Sequence, residues 1–142
     1  MSYCNCDKVV FSGSSVASQT VTAGSPVGFT KNLSAGVQYT DTSVTLRRPG
    51  LYHVIVDASA ATTGATATNV TLQLVKNGTQ VGKVQSTATS ASATSVVDLS
   101  FSAIVKVDPT CCPLNDNSAS LTFVNSGGSA VYSNVTVTIV RL

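Results

Sequence analysis

Residues 37–59 read VQYTDTSVTLRRPGLYHVIVDAS, two runs that alternate apolar and polar residues on either side of Pro49-Gly50. A repeat of two is the signature of a strand with one face buried, so residues 43–47 and 51–59 are expected as strands. Counting along the second places Tyr52, Val54, Val56 and Ala58 on one side, and Leu51, His53, Ile55 and Asp57 on the other. The corner Arg48-Pro49-Gly50-Leu51 predicts a type II turn, because Pro presets φ and Gly accepts the positive φ that such a turn demands.

The same pattern recurs outward from this pair. Residues 135–139 (Val-Thr-Val-Thr-Ile) alternate strictly, and Val and Thr are β-branched, which suits a pleated surface better than a helix. Further strands are expected at 8–11, 15–21, 27–30, 69–75, 80–85, 93–107 and 119–124. Asn77-Gly78 between two of these runs is a strong hairpin signal, since both positions of a type I′ turn need positive φ. Residues 60–68, 86–92 and 125–130 are small Ala, Ser, Thr and Gly runs without bulky residues and read as loops. Ten short strands in 142 residues point to an all-β antiparallel sandwich or jelly roll in one domain.

Composition agrees. The chain holds 20 Ser, 19 Thr and 22 Val, no Glu, and only 10% charged residues. With a mean hydropathy of +0.29 this is a sparse charge for the surface of a free monomer, so extensive subunit contacts are expected. The net charge is +2 and the eight basic residues are scattered in sequence, which argues against a nucleic-acid partner. No apolar run is long enough for a membrane span, and MSYCNCDKVV lacks the basic-then-apolar order of a signal peptide.

Catalytic constellations are missing. His53 is the only histidine; it shares a face with Asp57, but no G-x-S-x-G motif accompanies it, so it is expected as a partly buried histidine or an interface one near a threefold axis, and no enzyme is inferred. Asp108 and Asp116, with Asn115 and Asn117, flank one loop and are the candidate Ca2+ ligands, although Asp-Pro and Asn-Asp are ordinary turn formers; no metal and no cofactor are expected. The cysteines form two pairs, Cys4/Cys6 and Cys111/Cys112. Their internal gaps of one and none do not suit a zinc site, and neighbouring cysteines rarely bridge each other. Cross-links between the pairs, cross-links to another protein and free thiols all remain open. Four Asn-x-Ser/Thr triplets, at Asn32, Asn69, Asn77 and Asn134, are about what chance gives in so Ser/Thr-rich a chain, and nothing is drawn from them.

The stretch 37–59, with its Leu46-Arg47-Arg48-Pro49-Gly50-Leu51-Tyr52 corner, resembles the tumour-necrosis-factor and complement globular-head superfamily, which includes tip domains of spore-surface glycoproteins and phage head fibres. NVTLQLVKNGTQV looks like the next strand and hairpin of that family, and SNVTVTIVRL like its closing strand. The resemblance implies a ten-strand jelly roll and a compact homotrimer. Two features depart from the pattern: no collagen-like or coiled stalk precedes the domain, and the cysteine pairs are not a family hallmark. The expected organisation is an attachment arm at 1–7 followed by a jelly roll at 8–142. The expected role is a structural or binding module on a virion surface, a phage capsid decoration or head-fibre protein mounted on a capsid protein through the arm. A spore-surface or appendage tip protein and a host-glycan-binding domain are the alternatives.

Overall fold

A computed structural model of the chain describes residues 8–109 and 117–142. Among these residues there is no helix, and the strands are β1 (Val10–Ser15), β2 (Gln19–Val21), β3 (Thr30–Ala35), β4 (Gln38–Tyr39), β5 (Ser43–Leu46), β6 (Gly50–Thr62), β7 (Thr68–Lys76), β8 (Thr79–Ser90), β9 (Val97–Val107), β10 (Ala119–Asn125) and β11 (Ala130–Arg141). They form two antiparallel sheets. The first runs β3-β1-β11-β6-β9, with β2 continuing β1 along the same edge of β11; the second runs β4-β5-β10-β7-β8. The fold is a jelly-roll sandwich.

The inward-facing half of each alternation makes the core. Tyr52, Val54 and Val56 of β6, Val137 and Ile139 of β11 and Leu99 of β9 meet Leu72 and Leu74 of β7 and Leu121 and Phe123 of β10, all essentially without solvent contact. Phe11, Phe29 and Phe123 pack edge to face, with centroids 5.6 and 6.0 Å apart, and close the side of the sandwich where β1 lies. A bulge in β11 between Ser133 and Thr136, where Asn134 takes φ 51°, lets both Tyr132 and Val135 turn inward.

The structure departs from the sequence reading in several places, among them β9, which begins at Val97 rather than at 93, and the expected strand 15–21, of which only Gln19–Val21 forms β2. Eleven strands replace the expected ten: β4 is only two residues long, and β3 occupies Thr30–Ala35 rather than 27–30. β6 runs on through Ala60, Ala61 and Thr62, and β8 through Ser90, into stretches expected as loops. Small residues suffice there because Ala60 faces the shared core and Ala61 is buried on the other side of the strand, and the Ser90 hydroxyl accepts from Thr62 N at 3.0 Å and donates toward Ser95 O at 2.7 Å. Asn125 likewise ends β10 instead of opening a loop. Finally, Gly50 has φ +145°, far from the roughly +80° of a type II turn; it is the first residue of β6, paired with Val107.

Candidate functional site

The outward-facing half of the first sheet's alternation is the most unusual surface of the molecule. On β6, Leu51 and Ile55 are 46% and 44% exposed on either side of half-buried His53. Antiparallel register places Ile104 of β9 and Val140 of β11 directly beside His53, and Val10 of β1 beside Val140. Ile104 and Val140 are 53% and 40% exposed. Strands lie about 4.8 Å apart, so Val10, Val140, His53 and Ile104 form a continuous row roughly 15 Å long across four strands. Leu51 and Leu142 extend it toward the Pro49 corner; on its other side Ile55 stands between Thr138 and Ser102, and Leu33 lies across Ser12 from Thr138, so that row is already mixed. Beyond Ile55 the face turns polar, with Ser14, Thr136, Asp57 and Ser100 aligned in the next row. Sequence counting found the face that His53 shares with Leu51 and Ile55. It missed Val10, Ile104 and Val140, whose neighbourhood depends on pairings between segments some 40 or more residues apart.

The outer face of the second sheet is polar by contrast. Thr71 bonds Thr87 at 2.8 Å, Gln73 donates to Gln85 at 3.0 Å, and Thr89 donates to Asn69 at 2.8 Å, a ladder of hydroxyls and amides across β7 and β8.

His53 and Asp57 do share a face, with Ile55 between them, and the strand partners of His53 are aliphatic, so no nucleophile–base pair is assembled there. Asp108 lies 3.1 Å from Lys106 in an exposed ion pair, and no group of three metal-ligating side chains occurs among the described residues. Asp116 lies outside the described residues, as do Cys4, Cys6, Cys111 and Cys112 and the proposed arm 1–7. The Asn77-Gly78 turn joins β7 to β8 with φ 52° and 81°, and the Asn77 side chain accepts from Ser120 N at 2.8 Å, tying the hairpin to β10. Pro49 O accepts both Nε and Nη2 of Arg141, at 3.0 and 2.6 Å, which fastens the β5–β6 corner to the end of β11.

Two buried tyrosines serve the fold. Tyr132 donates to Asn125 Oδ1 at 3.0 Å while Asn125 Nδ2 donates to Val21 O and Gly128 O; burial pushes the Tyr132 phenol well above its usual range. Tyr52 donates to Arg48 O at 2.6 Å, and burial raises its pKa against the opposing pull of Arg141 and Arg48. Tyr39 is the exposed tyrosine among the described residues, and its ring already stacks beside Phe11 under Lys31. An open cleft of about 310 Å³ between Ser15, Gln19, Gly28, Thr30 and Asp41 is polar, and both ends of the Gln19 amide are held by Gly28.

The basic residues that are scattered in sequence are gathered by the fold. Lys8, Arg47, Arg48, Lys76, Lys106 and Arg141 all sit at the strand ends around Pro49, because antiparallel pairing returns β1, β5, β6, β7, β9 and β11 to the same end of the sandwich. Part of this charge is engaged within the chain, Lys106 with Asp108 and Arg141 with Pro49 O.

The sequence matches no protein-family model and no curated protein sequence. Solved structures match the fold along nearly the whole chain. The Eiger TNF of S. frugiperda superposes with a TM-score of 0.72 at 12% identity, covering 95% of this chain and 92% of that one. Murine APRIL gives 0.65 at 12% identity with 95% and 99% covered, and the globular domain of zebrafish complement 1qA gives 0.61 at 14% identity with 95% and 97% covered. The chain therefore has the jelly roll of tumour-necrosis-factor and complement globular heads. No helix among the described residues is long and apolar enough to cross a membrane.

Proposed function

We propose that this chain is a non-catalytic structural and binding module that works as a homotrimer on a particle surface, as a phage capsid decoration or head-fibre protein. The observation that carries the self-association is the row Val10, Val140, His53 and Ile104 with its flanks Leu51 and Ile55. A contiguous apolar patch on an otherwise Ser/Thr-rich surface is a contact surface, and in an assembly of identical chains every copy presents the same one. The number three comes from the resemblance to tumour-necrosis-factor and complement heads, now joined by the match in fold. Mounting through residues 1–7 agrees with the position of Lys8, the first described residue, beside Arg141 at the Pro49 end. A glycan-binding role has less support, since Tyr52 and Tyr132 are buried in the core.

Light scattering at micromolar concentration tests the assembly: three times the 14.4 kDa chain mass is expected, and a stable monomer overturns the reading. Removing residues 1–7 should leave a folded trimer that no longer attaches to its particle. Imaging intact particles with an antibody against this chain tests the setting. Label on virions supports the phage reading, and label on spores replaces it with a spore-surface role.

A further inference from the structure

We infer that His53 makes the self-association of this chain sensitive to mildly acidic pH, a property that rests on the homotrimer reading above. His53 stands in the middle of the apolar row, between Leu51 and Ile55 along β6 and between Ile104 and Val140 across the sheet. Within its own chain it is half-buried. Covering the row with a second copy removes the rest of its water and supplies in exchange a surface of the same aliphatic character.

The charged groups around it stand apart from the row. On β9, Lys106 lies opposite Leu51 with Asp108 3.1 Å from its ammonium, Lys8 precedes Val10 on β1, and Arg141 follows Val140 on β11 with its guanidinium on Pro49 O, a mixed set of charges on the Pro49 side of His53. On β6 itself the nearest carboxylate is Asp57, beyond Ile55, and Asp98 of β9 is farther along, held by the Ser59 hydroxyl at 3.2 Å. The outward residues of β11 and β1 beside it, Val140, Thr138, Val10 and Ser12, do not titrate. An imidazolium at this position therefore has aliphatic neighbours in register along and across the strands, while the charged groups lie farther off, at the Pro49 end and beyond Ile55. A neutral imidazole suits the covered face and a charged one does not.

Imidazole is the side chain whose charge changes in the mildly acidic range, and covering it with aliphatic surface disfavours the charged form. The assembled state thus binds fewer protons, so association weakens as pH falls. With one His53 per copy, a trimer excludes up to three protons. Its association constant should then fall by up to about a thousandfold per pH unit where the free chain is protonated and the assembled one is not.

The test is sedimentation equilibrium of the full chain at about pH 7.5 and about pH 5.0, the ends of the range in which histidine changes charge, with far-UV circular dichroism to follow folding. Wild type is compared with His53→Gln and His53→Leu. The expected result is a folded wild-type chain that dissociates between the two pH values, while the association constant of each variant, whatever its size, stays the same at both. Equal wild-type association at both pH values overturns the inference and leaves the homotrimer reading standing. A monomer at about pH 7.5 overturns both. Dissociation at low pH that persists in both variants also overturns the inference, because another group then carries the protons.

Discussion

The two outer faces of this sandwich are built by the same rule and end in opposite chemistry. Both sheets alternate with period two, and both bury aliphatic and aromatic residues against the shared core, yet the first presents Val10, Val140, His53 and Ile104 where the second presents Thr71, Thr87, Gln73 and Gln85. On the second face the side chains bond one another, as solvated cross-strand pairs do. On the first the aliphatic row offers no such pair, and polar pairing resumes only farther along the face, where the Ser59 hydroxyl donates to Asp98 at 3.2 Å. Two faces of one small domain share solvent, core and turn chemistry, so the difference between them is not needed for folding. In the proposed homotrimer the first face is the one that a second copy covers.

Substitutions can break or sharpen this contrast. The largest effect should come from inside, where the faces do not differ: Leu72→Ala on β7 and Tyr52→Ala on β6 each remove a fully buried side chain from the same core and should lower stability by roughly 2 to 5 kcal/mol in denaturant titrations. A large cost on one sheet and a negligible one on the other would mean that the sheets do not share a core. Next comes Gly50→Val. A Cβ there would meet Arg141 Nε at 2.7 Å on a backbone with φ +145°, so a loss of roughly 1 to 3 kcal/mol is expected, read as a lower melting temperature. Smallest is Thr71→Ala on the polar face, which forfeits one exposed hydroxyl pair with Thr87 and should cost roughly 0.2 to 1 kcal/mol, with no change of mass in solution.

Much of this architecture can be read from the chain. The alternation in 51–59 and 135–139 gives two central strands of the first sheet with the correct faces inward, and Asn77-Gly78 marks the hairpin between β7 and β8. The misreadings concern small residues. Ala60, Ala61, Thr62 and Ser90 continue strands as small buried residues, and a pattern that looks for bulky apolar residues sees no strand in them. The two-residue β4 is too short for any periodicity to register. The candidate site was half visible. His53 between Leu51 and Ile55 is a local fact of sequence, but the row that gives it meaning joins residues 10, 53, 104 and 140, and only register aligns them. For the same reason six basic residues that look dispersed in sequence share one end of the fold.

The central claim is that the first outer face, and not the second, is where copies of this chain meet. Ile104→Glu places a carboxylate in the middle of the apolar row, and Thr87→Glu places the same group on the polar face; both positions face outward in a single chain, so both variants should fold. A charge forced into a covered apolar contact has no partner and disfavours the contact strongly. Sedimentation velocity at neutral pH should therefore give a trimer for wild type and for Thr87→Glu, and a folded monomer for Ile104→Glu. A trimer that survives Ile104→Glu unchanged, or one that falls apart with Thr87→Glu, would contradict the account.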